Sequence, residues 1–178
     1  LNGRADSVER TLAGIAAAQD AGLGIKVNMV VQRGLNEEEI LPLARKFKGT
    51  GVTLRFIEFM DVGNCNGWRE EDVVSSEETL DVLGKEFALE AVPKNYLGEV
   101  ARRYRYTDGT GEIGVVSSVS QPFCGDCSRA RLTADGKLVT CLFAKHGHDL
   151  RPPLRNGVKD DALLALIQAT WGARMDRY

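Results

Sequence analysis

The sequence has 178 residues, of which 43% are hydrophobic and 27% are charged, a composition typical of folded globular proteins. No apolar run approaches the roughly 18 residues of a membrane-spanning helix, and no secretory signal is visible, so we expect a cytoplasmic protein without a membrane partner. A net charge of −2 argues against a nucleic-acid partner. Structural disulfides are rare in the reducing cytosol, so we expect the four cysteines to be free or metal-bound.

Up to about residue 87 the sequence alternates between patterns typical of helices and patterns typical of strands, which predicts an α/β fold with a parallel sheet. Asn36 and Glu39 have the spacing of a capping box at a helix start. Functional groups in such sheets gather at the carboxyl ends of the strands, which places Glu58, Met60 and residues 61–68 near any site. The predicted elements are a helix that starts at Asp6 and Ser7 and ends at Gly22, a strand at residues 25–31, a helix after Asn36, a strand at residues 52–59 and a helix from Ser75 or Ser76 to Phe87.

Polar residues interrupt both predicted strands. The run IKVNMVV predicts a strand buried on both faces, in which Lys26 is unusual because a buried lysine must find a partner or lose its proton. Asn28 is expected on the same face as Lys26. In the next strand, Arg55 and Glu58 are expected to pair with each other, and the alternative is a ligand pocket at the strand ends.

The pattern changes after about residue 95, which is a candidate boundary between two domains, residues 1–95 and 96–178. Asp135 and Gly136 predict a hairpin turn between two short strands. The elements expected in this part are strands at residues 100–106, 112–117, 128–133 and 137–142 and a final helix that follows Asp160 and Asp161 and runs through Trp171.

Three cysteines form the pattern C-x2-C-x13-C, which is a strong spacing for a metal centre: Cys124, Cys127 and Cys141. The predicted hairpin can bring the third cysteine back to the first two. A structural zinc ion needs four ligands, which His146 or His148 could complete, whereas an iron–sulfur cluster normally has four thiolates and Cys65 is distant. Spacing alone favours zinc, and three buried or free cysteines remain the alternative.

Two arginines follow the second cysteine of this pattern. Arg129 and Arg131 are two residues apart, so they point the same way if the run is a strand. Paired guanidinium groups suit a polyphosphate or a carboxylate. The alternative is a solvated edge with two surface arginines.

Long segments of the sequence resemble the C-terminal portion of the radical-SAM GTP 3′,8-cyclase family of molybdenum cofactor biosynthesis. The pattern PFC-x2-C-x-RAR with C-x13-C is highly specific to that family. The resemblance covers essentially the whole chain and implies part of an incomplete TIM barrel in residues 1–95, followed by an α+β region with an iron–sulfur cluster and a GTP site in residues 96–178. The matching segments are IKVNMVVQRGLNEEEI, LRFIEFMDVGNCNGW, GEVARRYRY, GEIGVVSSVSQPFCGDCSRARLTADGKLVTCLFAKHGHDLR and WGARMDRY.

The resemblance also implies site residues, and it reverses the preference for zinc. A [4Fe-4S] cluster with one open iron is implied, as are positions for GTP and S-adenosylmethionine. Arg55 and Asn28 fall in matching strands without an assigned role, and Cys65 does not match a ligand of the family. The implied residues are Cys124, Cys127 and Cys141 for the cluster, Lys26, Arg129, Ala130 and Arg131 for GTP, and Met60 for S-adenosylmethionine.

Enzymes of this family are lyases that rearrange GTP to 3′,8-cyclo-7,8-dihydroguanosine triphosphate, the first step of molybdenum cofactor biosynthesis. The resemblance therefore also implies a downstream partner in the pathway, cyclic pyranopterin monophosphate synthase. The family's radical-generating [4Fe-4S] cluster uses C-x3-C-x2-C, a spacing that this sequence lacks, so we expect a fragment without catalytic residues that is inactive alone. A truncated barrel leaves strand edges unpaired, which predicts self-association, for example as a homodimer. The alternative function is a non-catalytic zinc-binding module with a basic groove.

Overall fold

The structure is a computed structural model that describes residues 7–62, 67–144 and 146–175. Within these ranges, no helix combines the length and the apolar character needed to cross a membrane. The chain forms two compact units, Leu1–Met60 with Arg69–Gln121 and Asp61–Trp68 with Pro122–Tyr178. The boundary predicted near residue 95 falls inside the first unit, and as a boundary between domains it stays a prediction.

A five-stranded mixed sheet forms the centre of the first unit, with strand order β1-β2-β5-β4-β3. β1, β2 and β5 are parallel, and β4 and β3 continue the sheet in antiparallel fashion. This confirms an α/β fold with parallel strands, but β3 was not predicted. The strands are β1 (Lys26–Val31), β2 (Thr53–Glu58), β3 (Leu89–Val92), β4 (Arg102–Tyr106) and β5 (Glu112–Val116).

Among the described residues, the α-helices of the first unit are α1 (Ser7–Asp20), α2 (Ile40–Phe47) and α3 (Ser76–Gly84). Apolar residues of α2 and α3 form one core with the residues that β1, β2 and β5 direct to the same face of the sheet. The largest fully buried side chains of this core are those of Phe56, Ile40, Leu54, Leu83, Ile113, Val31 and Val115.

Local hydrogen bonds decide where these helices begin. The capping box predicted at Asn36 is not formed, because its side chain accepts from the Gln32 N–H at 2.8 Å and donates to the Val30 carbonyl at 2.9 Å. A 3₁₀ turn over Glu37–Glu39 follows, and α2 begins only at Ile40.

At α3 the predicted cap is confirmed. The Ser75 hydroxyl accepts from the Glu78 N–H at 3.1 Å, and the Glu78 carboxylate accepts from the Ser75 N–H at 2.8 Å. This reciprocal pair satisfies two N–H groups that a helix start otherwise leaves open. The helix ends at Gly84, earlier than the predicted end at Phe87.

The prediction that the first strand is buried on both faces is wrong. Met29 and Val31 are buried against the helices, whereas Lys26, Asn28 and Val30 are exposed. The strand therefore alternates in burial because α2 and α3 cover one face only. β1 pairs with β2 along one edge, which makes it an edge strand among the described residues.

The second unit contains a small antiparallel sheet of strand order β6-β7-β8. Its strands are β6 (Arg131–Leu132), β7 (Lys137–Val139) and β8 (His148–Asp149), and the helices α4 (Arg151–Arg155) and α5 (Asp160–Gly172) follow. The predicted hairpin at Asp135 and Gly136 is confirmed, and Gly136 adopts the positive φ of 76° that favours glycine. The two predicted strands of this hairpin are shorter than expected, and neither β8 nor α4 was predicted.

Candidate functional site

The first two cysteines of the predicted metal centre lie at the ends of a tight turn. Cys124–Asp126 form a 3₁₀ turn, and the Cys127 N–H donates to the Cys124 carbonyl at 3.3 Å. Cys141 comes two residues after the end of β7. Cys124, Cys127 and Cys141 are all half-buried free thiols.

The side chain of Arg129 contacts the second cysteine of the pattern. Its Nη2 lies 3.4 Å from the Sγ of Cys127, and its guanidinium lies 5.0 Å from the centroid of the Phe123 ring. Burial pushes the pKa of the Cys127 thiol upward, but the N–H and guanidinium groups of Arg129 outweigh it, with a smaller contribution from the charge of Arg174. The pKa of Cys127 is therefore lowered overall, and the thiolate that metals require is favoured.

The third cysteine also has a donor at its sulfur. The Phe143 N–H lies 3.4 Å from the Sγ of Cys141. Hydrogen bonds to thiolate sulfur tune metal and iron–sulfur centres. The chemistry of this donor set therefore fits a thiophilic metal or an iron–sulfur cluster.

The described positions of the three cysteine side chains do not form a metal-ligand set. Among the side chains that the structure describes, no group of three or more histidine, cysteine, aspartate or glutamate residues could hold a metal ion. His146 and His148, the candidate fourth zinc ligands, are both exposed. The assignment of the metal ligands, whether for iron–sulfur or for zinc, thus stays a prediction, and Cys65 lies outside the described residues.

The residues after the cysteine turn adopt a less regular structure than predicted. Of the arginine pair, only Arg131 lies in a strand, at the start of β6, whereas Arg129 precedes it and is engaged with Cys127. Ala130, between them, is exposed. Their roles in binding a ligand stay predictions.

On the first unit, the predicted polar residues share the open face of the sheet. Lys26 pairs in register with Thr53, and Asn28 lies directly opposite Arg55, so all of these side chains leave the same face. Lys26 is exposed, which corrects the prediction of a buried lysine: it lies at the start of β1, on the face away from the helices.

Gly114 is a contributor to this face that sequence reasoning missed. It pairs with Arg55 in register, and a Cβ added to it would lie 2.9 Å from the Arg55 Cγ. The Arg55 side chain can therefore lie across β5 only because no side chain stands there. The close approach of Arg55 to Gly114 leaves no local signal in the sequence.

The expected pairing of Arg55 with Glu58 is wrong. The two residues are three positions apart in β2, so their side chains leave opposite faces. The Glu58 carboxylate instead accepts from the N–H groups of Ser76, Val119 and Ser120, each at 2.7 Å, and from the Ser120 hydroxyl. Burial raises the pKa of this carboxyl, but the hydrogen bonds outweigh it, and the pKa is lowered overall.

Met60, the predicted contact for S-adenosylmethionine, is half-buried and follows the end of β2 by two residues. This confirms that Glu58 and Met60 lie at the carboxyl end of a parallel strand. The contact between Met60 and S-adenosylmethionine stays a prediction.

Comparison with known proteins defines the class of this chain. The family described as Molybdenum Cofactor Synthesis C matches residues 52–178, and the chain belongs to this family. This confirms the expected resemblance to the C-terminal portion of GTP 3′,8-cyclases.

Three relatives named GTP 3′,8-cyclase illustrate the similarity. The protein of Xanthomonas campestris pv. campestris (strain B100) is 52% identical over 179 residues, which cover 100% of this chain and 52% of the relative. That of Acidothermus cellulolyticus is 47% identical over 96% of this chain and 49% of the relative. That of Staphylococcus carnosus is 44% identical over 100% of this chain and 53% of the relative. The chain thus spans about half the length of these curated relatives.

Proposed function

We propose that this chain is the portion of a GTP 3′,8-cyclase that holds a [4Fe-4S] cluster through Cys124, Cys127 and Cys141 and binds GTP. The contact between Arg129 and the sulfur of Cys127 is the observation that carries the proposal, because it joins a thiolate and a substrate-binding cation in one segment. The similarity to relatives named GTP 3′,8-cyclase supports it.

The protein's own residues would prepare the ligand set. Arg129 favours the thiolate of Cys127, and the Phe143 N–H stabilises negative charge on Cys141. When bound, such a cluster supplies an iron atom with an open coordination position for the substrate. Three free thiols fit the reducing cytosol as the proposed location.

The proposed contacts to GTP are Lys26, Arg129, Ala130 and Arg131. Lys26 is exposed on the open face of the sheet, where Arg55 is a second cation. Lysine and arginine suit phosphate groups, lysine as a point charge and arginine as a fork. Their role is to bind and orient the triphosphate. This lowers the entropic part of the activation free energy for the cyclisation of GTP.

The proposed reaction also involves groups other than this cluster and these GTP contacts. We propose that β1, β2 and β5 belong to an incomplete TIM barrel, in which Met60 contacts S-adenosylmethionine. No C-x3-C-x2-C spacing occurs in this sequence, so the cluster that generates the radical would be held by other residues. The product would pass to cyclic pyranopterin monophosphate synthase, and a homodimer is the proposed assembly.

Anaerobic reconstitution with iron and sulfide tests the proposal. We expect about four irons per chain and an iron–sulfur absorbance and EPR spectrum that GTP perturbs. ATP at the same concentration is the matched control for a general effect of triphosphate. Stoichiometric zinc without iron uptake would refute the proposal and support the zinc-binding module.

A further inference from the structure

The carboxylate of Glu58 is a buried group that the proposed chemistry does not use. Only 3% of the residue is exposed, at the last position of β2. Four uncharged donors contact its two oxygens: Oε1 accepts from the Ser76 N–H and the Ser120 hydroxyl, and Oε2 accepts from the N–H groups of Val119 and Ser120.

Neighbouring serines extend this contact. The Ser118 hydroxyl donates to the Glu58 carbonyl at 3.0 Å, and the Ser117 hydroxyl donates to the Ser76 hydroxyl at 2.8 Å. Ser76, Ser117 and Ser118 are themselves buried. The hydroxyls of Ser117 and Ser118 therefore both have hydrogen-bond partners close to the end of β2.

The three segments held by Glu58 lie within seven residues of the points at which the chain passes from one compact unit to the other. Glu58 lies two residues before the passage after Met60, and Ser76 lies shortly after the passage that precedes Arg69. Ser120 lies directly before Gln121, the last residue of the first unit, and Cys124 follows three residues later.

A buried carboxylate is a costly way to fill space, because an unpaired charge loses its hydration. Its advantage over an apolar residue is direction: two oxygens fix several donors at defined angles. The arrangement is thus suited to holding chain segments in one relative position.

We infer that Glu58 is a positioning residue, which fixes the exit of the chain at residues 118–121 and thereby the start of the segment that carries Cys124 and Cys127. The inference rests on the proposed function for its consequence at the cluster. It gives Glu58 a role in cluster loading that acts through the backbone of residues 118–121.

Glu58→Gln and Glu99→Gln form a matched pair for the test. Glu99 is also 3% exposed and accepts a backbone N–H, that of Asn95, at 2.7 Å, a contact within a local turn. Glutamine keeps the size of the side chain, but its NH₂ group cannot accept. Both variants are expected to lose thermal stability, and we measure iron uptake, the cluster spectrum and amide hydrogen exchange.

For Glu58→Gln we expect at least about tenfold faster exchange at Val119 and Ser120 in the apo chain, and at least about a twofold loss of iron uptake. Glu99→Gln is expected to change neither. Ser120→Ala removes only a hydroxyl donor and is expected to give a smaller loss of the same kind if Glu58→Gln fails to fold.

Iron uptake reduced equally by both glutamate variants would overturn the inference, since general destabilisation would then explain it. Unchanged exchange at Val119 and Ser120 in Glu58→Gln would also overturn it. If the unmodified chain takes up no cluster, the proposed function fails, and the exchange comparison alone then decides whether Glu58 fixes this segment.

Discussion

The Nη2 of Arg129 lies 3.4 Å from the Sγ of Cys127, so the residue expected to bind substrate also acts on a thiol expected to bind the cluster. The same guanidinium rests on the ring of Phe123, which precedes the cysteine turn. Arg129 thereby contacts both Phe123, which precedes Cys124, and Cys127, which follows it.

Replacing Arg129 with glutamine should make Cys127 less acidic. The substitution removes the guanidinium donor and its charge, which together lower the pKa of this thiol. We expect a higher thiol pKa and slower alkylation of Cys127 near neutral pH, measured by iodoacetamide labelling of the apo chain against pH and mass spectrometry. Arg131→Gln is the control, and an equal effect from it would show that general charge, not the specific contact, sets the acidity.

Replacing Cys141 with serine should abolish cluster loading, whereas Cys65→Ser should not. Cys141 completes the C-x2-C-x13-C pattern and already accepts an N–H, whereas Cys65 falls outside the pattern. Iron and sulfide per chain after anaerobic reconstitution give the measurement. Equal losses from both substitutions would contradict the ligand assignment.

Replacing Gly114 with alanine should destabilise the sheet. The added Cβ would lie 2.9 Å from the Arg55 Cγ and 3.4 Å from the Ala101 Cβ, so the arginine must move. Overpacking of this kind costs about 1–3 kcal/mol, which denaturant unfolding can measure.

Gly14→Ala is the control for that substitution. Gly14 lies within α1, and a Cβ there would meet no atom within 4 Å. We expect a gain of about 0.5–1 kcal/mol from helix propensity. A loss at Gly14 as large as that at Gly114 would show that crowding of Arg55 is not the cause.

The stabilising effect of Glu58 should depend on pH. Its folded-state pKa is lowered, so the unfolded chain binds the proton more tightly than the folded chain. The contribution is therefore present above the ordinary carboxyl value of 4.5 and is lost as the pH falls through the lower folded-state pKa. The difference in unfolding free energy between the unmodified chain and Glu58→Gln should shrink on acidification, and a constant difference would contradict an ionised carboxylate.

Local patterns predicted much of the fold but little of the contact geometry. Helix and strand periodicity located the elements of the first unit, because amphipathic helices and apolar strands leave repeated signals. β8 and β6, each two residues long, are too short to leave such a signal. The prediction of a cap at Asn36 is wrong because the backbone groups of Gln32 and Val30, which are equally local, bind its side chain instead.

The candidate site shows the same division. Spacing identified Cys124, Cys127 and Cys141 as a group, and strand alternation placed Asn28 beside Lys26 on one face. Alternation could also have separated Arg55 from Glu58. The true partners of Glu58, Val119 and Ser120, lie about sixty positions away in sequence, where no local pattern reaches.

The convergence on Glu58 also bears on the order of folding. Its carboxylate joins residues that are separated by 18 positions at Ser76 and by 62 positions at Ser120. Closing loops of this length must precede any gain from the contact, so contacts of high sequence separation slow folding. The helices and the β6–β7 hairpin need only local contacts and can form early. The carboxyl end of β2 should therefore be among the last parts of the first unit to become ordered, and until then Glu58 is a hydrated side chain.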